Sequence, residues 1–107
     1  MKYLVIGNEG PGFFSAEEAI EMLENIILPA FEELEDLETE GVLVGGVPVG
    51  ERAFAFIVEA DSHDDVDRIL RSLPIWSALE WEVTPLQDFE ARSNQEREIL
   101  KDLKKNS

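Results

Sequence analysis

Cysteine is absent from this chain of 107 residues, which excludes a disulfide framework and any thiolate metal site. Histidine is nearly absent: His63 stands alone, and one imidazole does not build a metal centre. Basic residues are scarce, 9 Lys and Arg against 24 Asp and Glu, for a net charge of −15. None occurs between Lys2 and Arg52. Nucleic acids and anionic membrane surfaces are held through Lys and Arg on phosphate, so neither is expected as a partner. No apolar run approaches the ~20 residues of a membrane span, and the one after Met1 is too short for a secretory signal. The expectation is a cytoplasmic protein with no metal and no organic cofactor.

What is present is enough to fold. Leu, Ile, Val and Phe make up 34 of the 107 residues, well above the roughly 20 % below which a highly charged chain stays disordered. The length suits a single domain over residues 1–107. The acids between Glu17 and Glu38 read as a solvated helix face that aids solubility.

Residues Lys2 to Gly7 form a first strand, with Tyr3 and Val5 on one face and Leu4 and Ile6 on the other. The loop Asn8-Glu9-Gly10-Pro11-Gly12 follows. Ser15-Ala16-Glu17-Glu18 is a capping box in which Glu18 is expected to reach back to the Ser15 amide. Ile20, Leu23, Ile27, Phe31 and Leu34 then recur at helical spacing up to Gly41, with Pro29 expected to kink or split the helix near Leu28. Val42 to Gly50 reads as a second strand interrupted by glycines, where Pro48 demands a sheet edge or a bulge. The third strand, Arg52 to Glu59, places Phe54, Phe56 and Val58 on one face and Ala53, Ala55 and Ile57 on the other. Asp61-Ser62 opens a second helix with the stripe Val66, Ile69, Leu70 and Leu73, closed by Pro74. Leu79 to Val83 is a fourth strand, ended by Pro85. Asn94 to Lys105 is a last helix with Ile99, Leu100 and Leu103 expected inward and lysines at its C-terminus.

This order, β-α-β-β-α-β with a C-terminal helix, is the ferredoxin-like α+β arrangement. Apolar residues on the second sheet face, for which Val5, Ala55 and Ile57 stand, need a cover. A partner sheet supplies one, so a homodimer or larger assembly is expected.

Gly50, Ile57-Val58-Glu59-Ala60, Asp61-Ser62, Leu73-Pro74 with Trp76, Glu82-Val83 and Leu86 form an ordered set from Gly50 to about Leu86. Through these residues the chain resembles the muconolactone isomerase family. It implies a dimeric α+β barrel, often built into larger rings, and cofactor-free isomerisation of an unsaturated lactone. Two positions depart from that pattern: Glu51 stands where such isomerases carry a histidine, and Arg52 where they carry an aromatic residue.

A double-bond shift of that kind requires a base, a donor for the developing enolate oxygen and a dry pocket. Glu51 and Glu82 are the candidate bases, with Glu80 a further carboxylate near a strand end. Glu82 is favoured by the matched Glu-Val pair and Glu51 by its position. Arg52 is placed to hold the carboxylate of a small anionic ligand, and Phe54, Trp76 and Trp81 to wall a planar one. The plainer readings are a solvated or interface role for the glutamates, an ion pair for Arg52, core or dimer packing for the tryptophans and a surface place for His63. Gly45, Gly46 and Gly50 lack the helix and lysine of a phosphate loop, and Glu9 would oppose a phosphate beside Gly7, Gly10 and Gly12. A non-catalytic ligand-binding or structural oligomer of the same fold is the alternative function.

Overall fold

The computed structural model describes residues 1–8, 10 and 12–107; Glu9 and Pro11, named above in the first loop, lie outside them. Strand β1 covers Lys2–Asn8, followed by helix α1 over Ala16–Met22, a π-helical turn at Leu23–Ile27 and α2 over Leu28–Thr39. Strands β2 (Leu43–Gly46) and β3 (Phe54–Glu59) precede α3 (His63–Ser72), a 3-10 turn at Trp76–Ala78, β4 (Glu80–Leu86) and α4 (Phe89–Lys105).

Local chemistry explains the helix boundaries. Ser15 caps α1, its hydroxyl accepting from the Glu18 amide at 3.1 Å. The reciprocal bond of the capping box goes one residue earlier than expected, from the Phe14 amide to Glu18 Oε2. Pro29 sits in the first turn of α2, directly after the π-helical turn; it has no N–H to donate to that turn, and the wider π geometry accommodates the missing bond. Ile27 and Leu28 both keep helical angles, so the helix passes through the π turn without splitting at Leu28. Gly41, with φ +78°, ends α2 in the left-handed conformation that glycine adopts without a Cβ clash. Ser62 caps α3 by accepting from the Asp65 amide at 3.2 Å.

The four strands form one antiparallel sheet in the order β2-β3-β1-β4. The sheet is open, with β2 and β4 as its edges. This corrects the barrel implied by the family resemblance: closure would require the two end strands to pair, and here they lie on opposite sides of β1 and β3. The ferredoxin-like α+β arrangement itself is present.

Strand β4 continues through Pro85, which faces Tyr3 across the ladder, rather than stopping at Val83. An edge strand tolerates a proline because one side of its backbone needs no partner. Pro48 lies outside β2, in the connection to β3.

One sheet face packs under the helices. Tyr3, Val5, Phe54, Phe56 and Val58 are buried there with Leu43, Ala30 of α2, and Val66 and Leu70 of α3. Val5 is therefore core, with no exposed surface, and does not belong to the open face as expected. Leu4, Ile6, Ala55 and Ile57 form that second face, half-buried to exposed.

Helix α4 begins at Phe89, earlier than its sequence pattern indicated, and none of its residues is buried. Ile99, Leu100 and Leu103, expected inward, are 50–64 % exposed. The radius of gyration is 18.7 Å and the longest dimension 68 Å, whereas a compact chain of this length has a radius of about 13 Å. The helix projects from the body as an arm. Among the described residues no helix is long and apolar enough to cross a membrane.

Candidate functional site

The antiparallel register sets Gly7 at the end of β1 opposite Phe54 at the start of β3. The loop leaving β1 and the loop entering β3 therefore meet at one end of the sheet. Their meeting is a backbone hydrogen bond, Gly10 N–H to the Arg52 carbonyl at 3.2 Å. A Cβ on Gly10 would stand 2.9 Å from that oxygen, so only glycine allows the approach. The second loop is shaped by a turn in which the Glu51 amide donates to Pro48 O at 3.1 Å. Gly50 takes the left-handed place in this turn at φ +82°.

A cavity of about 220 Å³ opens beneath these loops. Phe54, Phe31, Ile27, Ile75 and Leu79 line its interior, with Phe13, Gly10, Glu51 and Arg52 at the loop side. It is smaller than the roughly 300–1,000 Å³ that hold drug-sized molecules, a size suited to a ligand of about one ring. The Arg52 guanidinium lies 5.8 Å from the centroid of the Phe13 ring, a cation–π distance that steers it across the cavity rim. Phe31 meets Phe54 edge to face at 5.2 Å. Among the described residues the site is thus an apolar cleft with the Glu51 carboxylate and the Arg52 guanidinium, adjacent in sequence, beside it.

The structure brings together Glu51, Arg52 and Phe54 of the residues singled out in the sequence. Glu82 is elsewhere: it pairs with Ile6 across the ladder, on the open face of the sheet, with the sheet between it and the cavity. Glu80 shares that open face and is exposed. Trp76 and Trp81 do not line the cavity. Trp81 lies over Gly7, donates from Nε1 to the Trp76 carbonyl at 2.9 Å and packs against Phe56 at 6.5 Å. Trp76 is covered by the Arg71 guanidinium at 4.4 Å.

Phe13 and Phe31 were not singled out as ligand contacts. Phe31 was visible in the sequence only as part of a helix stripe, and Phe13 only as an aromatic residue two positions before the Ser15 cap. His63 is exposed, yet it shares a 2.8 Å hydrogen bond through Nδ1 with the hydroxyl of the buried Tyr3. Among the described residues, no three His, Asp or Glu side chains gather as a metal-holding group.

Solved structures that share this fold include the following two. A crystal structure of muconolactone isomerase aligns at a TM-score of 0.65 and 19 % identity, covering 82 % of this chain and 90 % of its own. A 5-chloro-2-hydroxyhydroquinone dehydrochlorinase from Burkholderia phenoliruptrix AC1100, in complex with 2,5-dihydroxybenzoquinone, aligns at a TM-score of 0.56 and 18 % identity. It covers 85 % of this chain and 98 % of its own. No curated protein sequence gives a significant match. The family model for muconolactone delta-isomerase matches residues 15–92, from the α1 cap into the first turn of α4, and the chain belongs to that family.

Proposed function

We propose that the protein is a cofactor-independent enzyme that moves a proton on a small, planar, unsaturated lactone or carboxylate. The observation that carries the reading is the placement of Glu51 and Arg52 side by side at one apolar cavity of single-ring size. Arg52 would hold the ligand carboxylate through charge-assisted hydrogen bonds. Glu51 would take a proton from the carbon next to the carbonyl and return it at the far end of the conjugated system, which moves the double bond and leaves the atom count unchanged. The walls of Phe31, Phe54 and Ile75 would keep water from the carbanionic intermediate. The same groups could serve loss of HCl from a chlorinated hydroxyhydroquinone. A ring hydroxyl gives up its proton as the chlorine-bearing carbon gains one, and loss of a second hydroxyl proton then expels chloride and leaves a quinone. A chlorinated ring is thus a second substrate class for this site. Membership of the muconolactone delta-isomerase family supports the first, and the second is suggested by the fold shared with a dehydrochlorinase.

The test is incubation with muconolactone, and separately with a chlorinated hydroxyhydroquinone, in deuterated water. Absorbance reports turnover and NMR reports exchange of the acidic proton. Glu51→Gln should lower kcat by about 10²-fold or more, the usual range for a general base, with little change in KM. Arg52→Ala should raise KM while the melting curve stays in place. Binding of these anions without any proton exchange would support the non-catalytic ligand-binding alternative instead. Neither binding nor exchange would remove the site reading altogether.

A further inference from the structure

The connection after β1 meets Arg52 from its backbone to its charged end. The Gly10 amide donates to the Arg52 carbonyl at 3.2 Å, and a Cβ on Gly10 would stand 3.1 Å from the Arg52 Cβ. A Cβ on Gly12 would stand 3.3 Å from Nη1, closer than side-chain carbons normally come. Gly12 is not among the glycines with positive φ, so no turn geometry asks for glycine there; the space beside Nη1 does. Phe13 then places its ring under the guanidinium at 5.8 Å, inside the roughly 6 Å at which a cation is drawn to a ring face.

Phe13 also lines the cavity, together with Glu51 and Arg52, so the ring that draws the guanidinium is part of the cavity wall. A guanidinium binds a carboxylate through two parallel hydrogen bonds only when the two planes are aligned. Holding a long, flexible side chain in place before the ligand arrives lowers the entropy lost on binding. We propose that Phe13 is a positioning residue: with Gly12 it sets the Arg52 guanidinium at the cavity, and so makes the site select a ring bearing a carboxylate over its uncharged ester. The inference rests on the reading of Arg52 as the group that holds the ligand carboxylate. Arg52 has a further interaction besides these contacts, so loss of the ring weakens the selection without abolishing it.

Calorimetric titration of the full chain with muconolactone and with its methyl ester gives the preference as a ratio of dissociation constants. Phe13→Leu keeps an apolar side chain and removes the ring face. It should lower the wild-type preference by about three- to tenfold, the range of a cation–π contact. Phe13→Tyr, which keeps the face, should stay within about twofold of the wild type. Gly12→Ala leaves the ring in place and displaces Nη1 by a few tenths of an ångström. It should lower the preference in the same direction, and it carries the test if Phe13→Leu does not fold.

NMR supplies a readout that needs no ligand. The Arg52 Hδ and Hε resonances, identified by their loss in Arg52→Lys, should lie upfield in the wild type because of the Phe13 ring current. They should keep that position in Phe13→Tyr and lose it in Phe13→Leu. Resonances unmoved by Phe13→Leu overturn the inference. So does a wild-type preference that neither Phe13→Leu nor Gly12→Ala reduces, and in that case Arg52 still holds the carboxylate. A wild type that binds acid and ester equally, or neither, overturns the reading of Arg52 itself and the inference with it.

Discussion

Gly7 is the position where one added methyl group tests the packing between sheet and helices most directly. It sits at the end of β1 between Phe54 and Trp81 in the register, and the Trp81 indole lies against it. A Cβ built on Gly7 would fall 2.6 Å from Cζ3 and 2.8 Å from Cε3 of that ring, against an optimal carbon–carbon separation of about 3.5–4.0 Å. Gly7→Ala therefore requires the indole to retreat by about 1 Å. The retreat strains the Nε1 bond to the Trp76 carbonyl and the edge contact with Phe56. Overpacking of this kind costs about 1–3 kcal/mol, and the weakened hydrogen bond about 1 kcal/mol. Replacing a strand glycine returns about 0.5–1 kcal/mol of backbone entropy.

The net expectation is a destabilisation of about 2 kcal/mol, read as a lower midpoint in urea unfolding followed by tryptophan fluorescence and circular dichroism. Trp81→Leu in the same background removes the clash, so the two substitutions together should cost less than their sum. A Gly7→Ala protein as stable as the wild type would refute the reasoning. Strict additivity with Trp81→Leu would do the same.

Ser62→Ala removes the cap of α3 and should lower stability by about 1 kcal/mol, whereas Ser62→Asp, an equal cap, should stay within a few tenths; thermal melts of the three proteins decide. Tyr3→Phe deletes the hydroxyl shared with His63 and should cost about 0.5–1 kcal/mol, at the low end because the exposed imidazole regains water; denaturant midpoints measure it. Gly10→Ala pushes a Cβ against the Arg52 carbonyl and should weaken muconolactone binding by about tenfold or more, a loss of about 1.4 kcal/mol, in calorimetric titration, with a smaller effect on melting.

Strand β3 was legible because Phe54, Phe56 and Val58 alternate with Ala55 and Ile57, and alternation is a property of the segment alone. The caps at Ser15 and Ser62 and the stop at Gly41 were legible for the same reason: each is settled within four residues of chain. Closure of the sheet was not. Whether β2 and β4 pair is a relation between two distant strands, and nothing in the alternation of either strand states it. Pro85 misled in a related way, since a proline forbids only one of the two strand edges and the sequence does not say which edge is paired. For α4 the stripe of Ile99, Leu100 and Leu103 was read correctly as a stripe. The periodicity says which side of a helix is apolar, but it does not say what lies against that side.

The candidate site shows how the fold brings together residues that no motif joins. In an antiparallel pair the end of one strand is the neighbour of the start of the other, so β1 delivers Gly10 and Phe13 to the place where residues 51–53 enter β3. Glycine in both connections, Gly10 in one and Gly50 in the other, lets the two backbones close to hydrogen-bond distance and leaves side chains to surround a gap. The helix layer supplies the rest of the wall, because α2 must run back over the sheet to start β2 and so lays Phe31 beside Phe54. Glu51 and Arg52 meet this cavity because they are the last residues before β3 begins its buried run. Glu82, at the middle of β4, alternates with Trp81 and Val83 and is carried by that alternation to the other side of the sheet. Period-two geometry alone thus separates the two candidate bases: only the one in a loop, free of strand alternation, is positioned at the cavity.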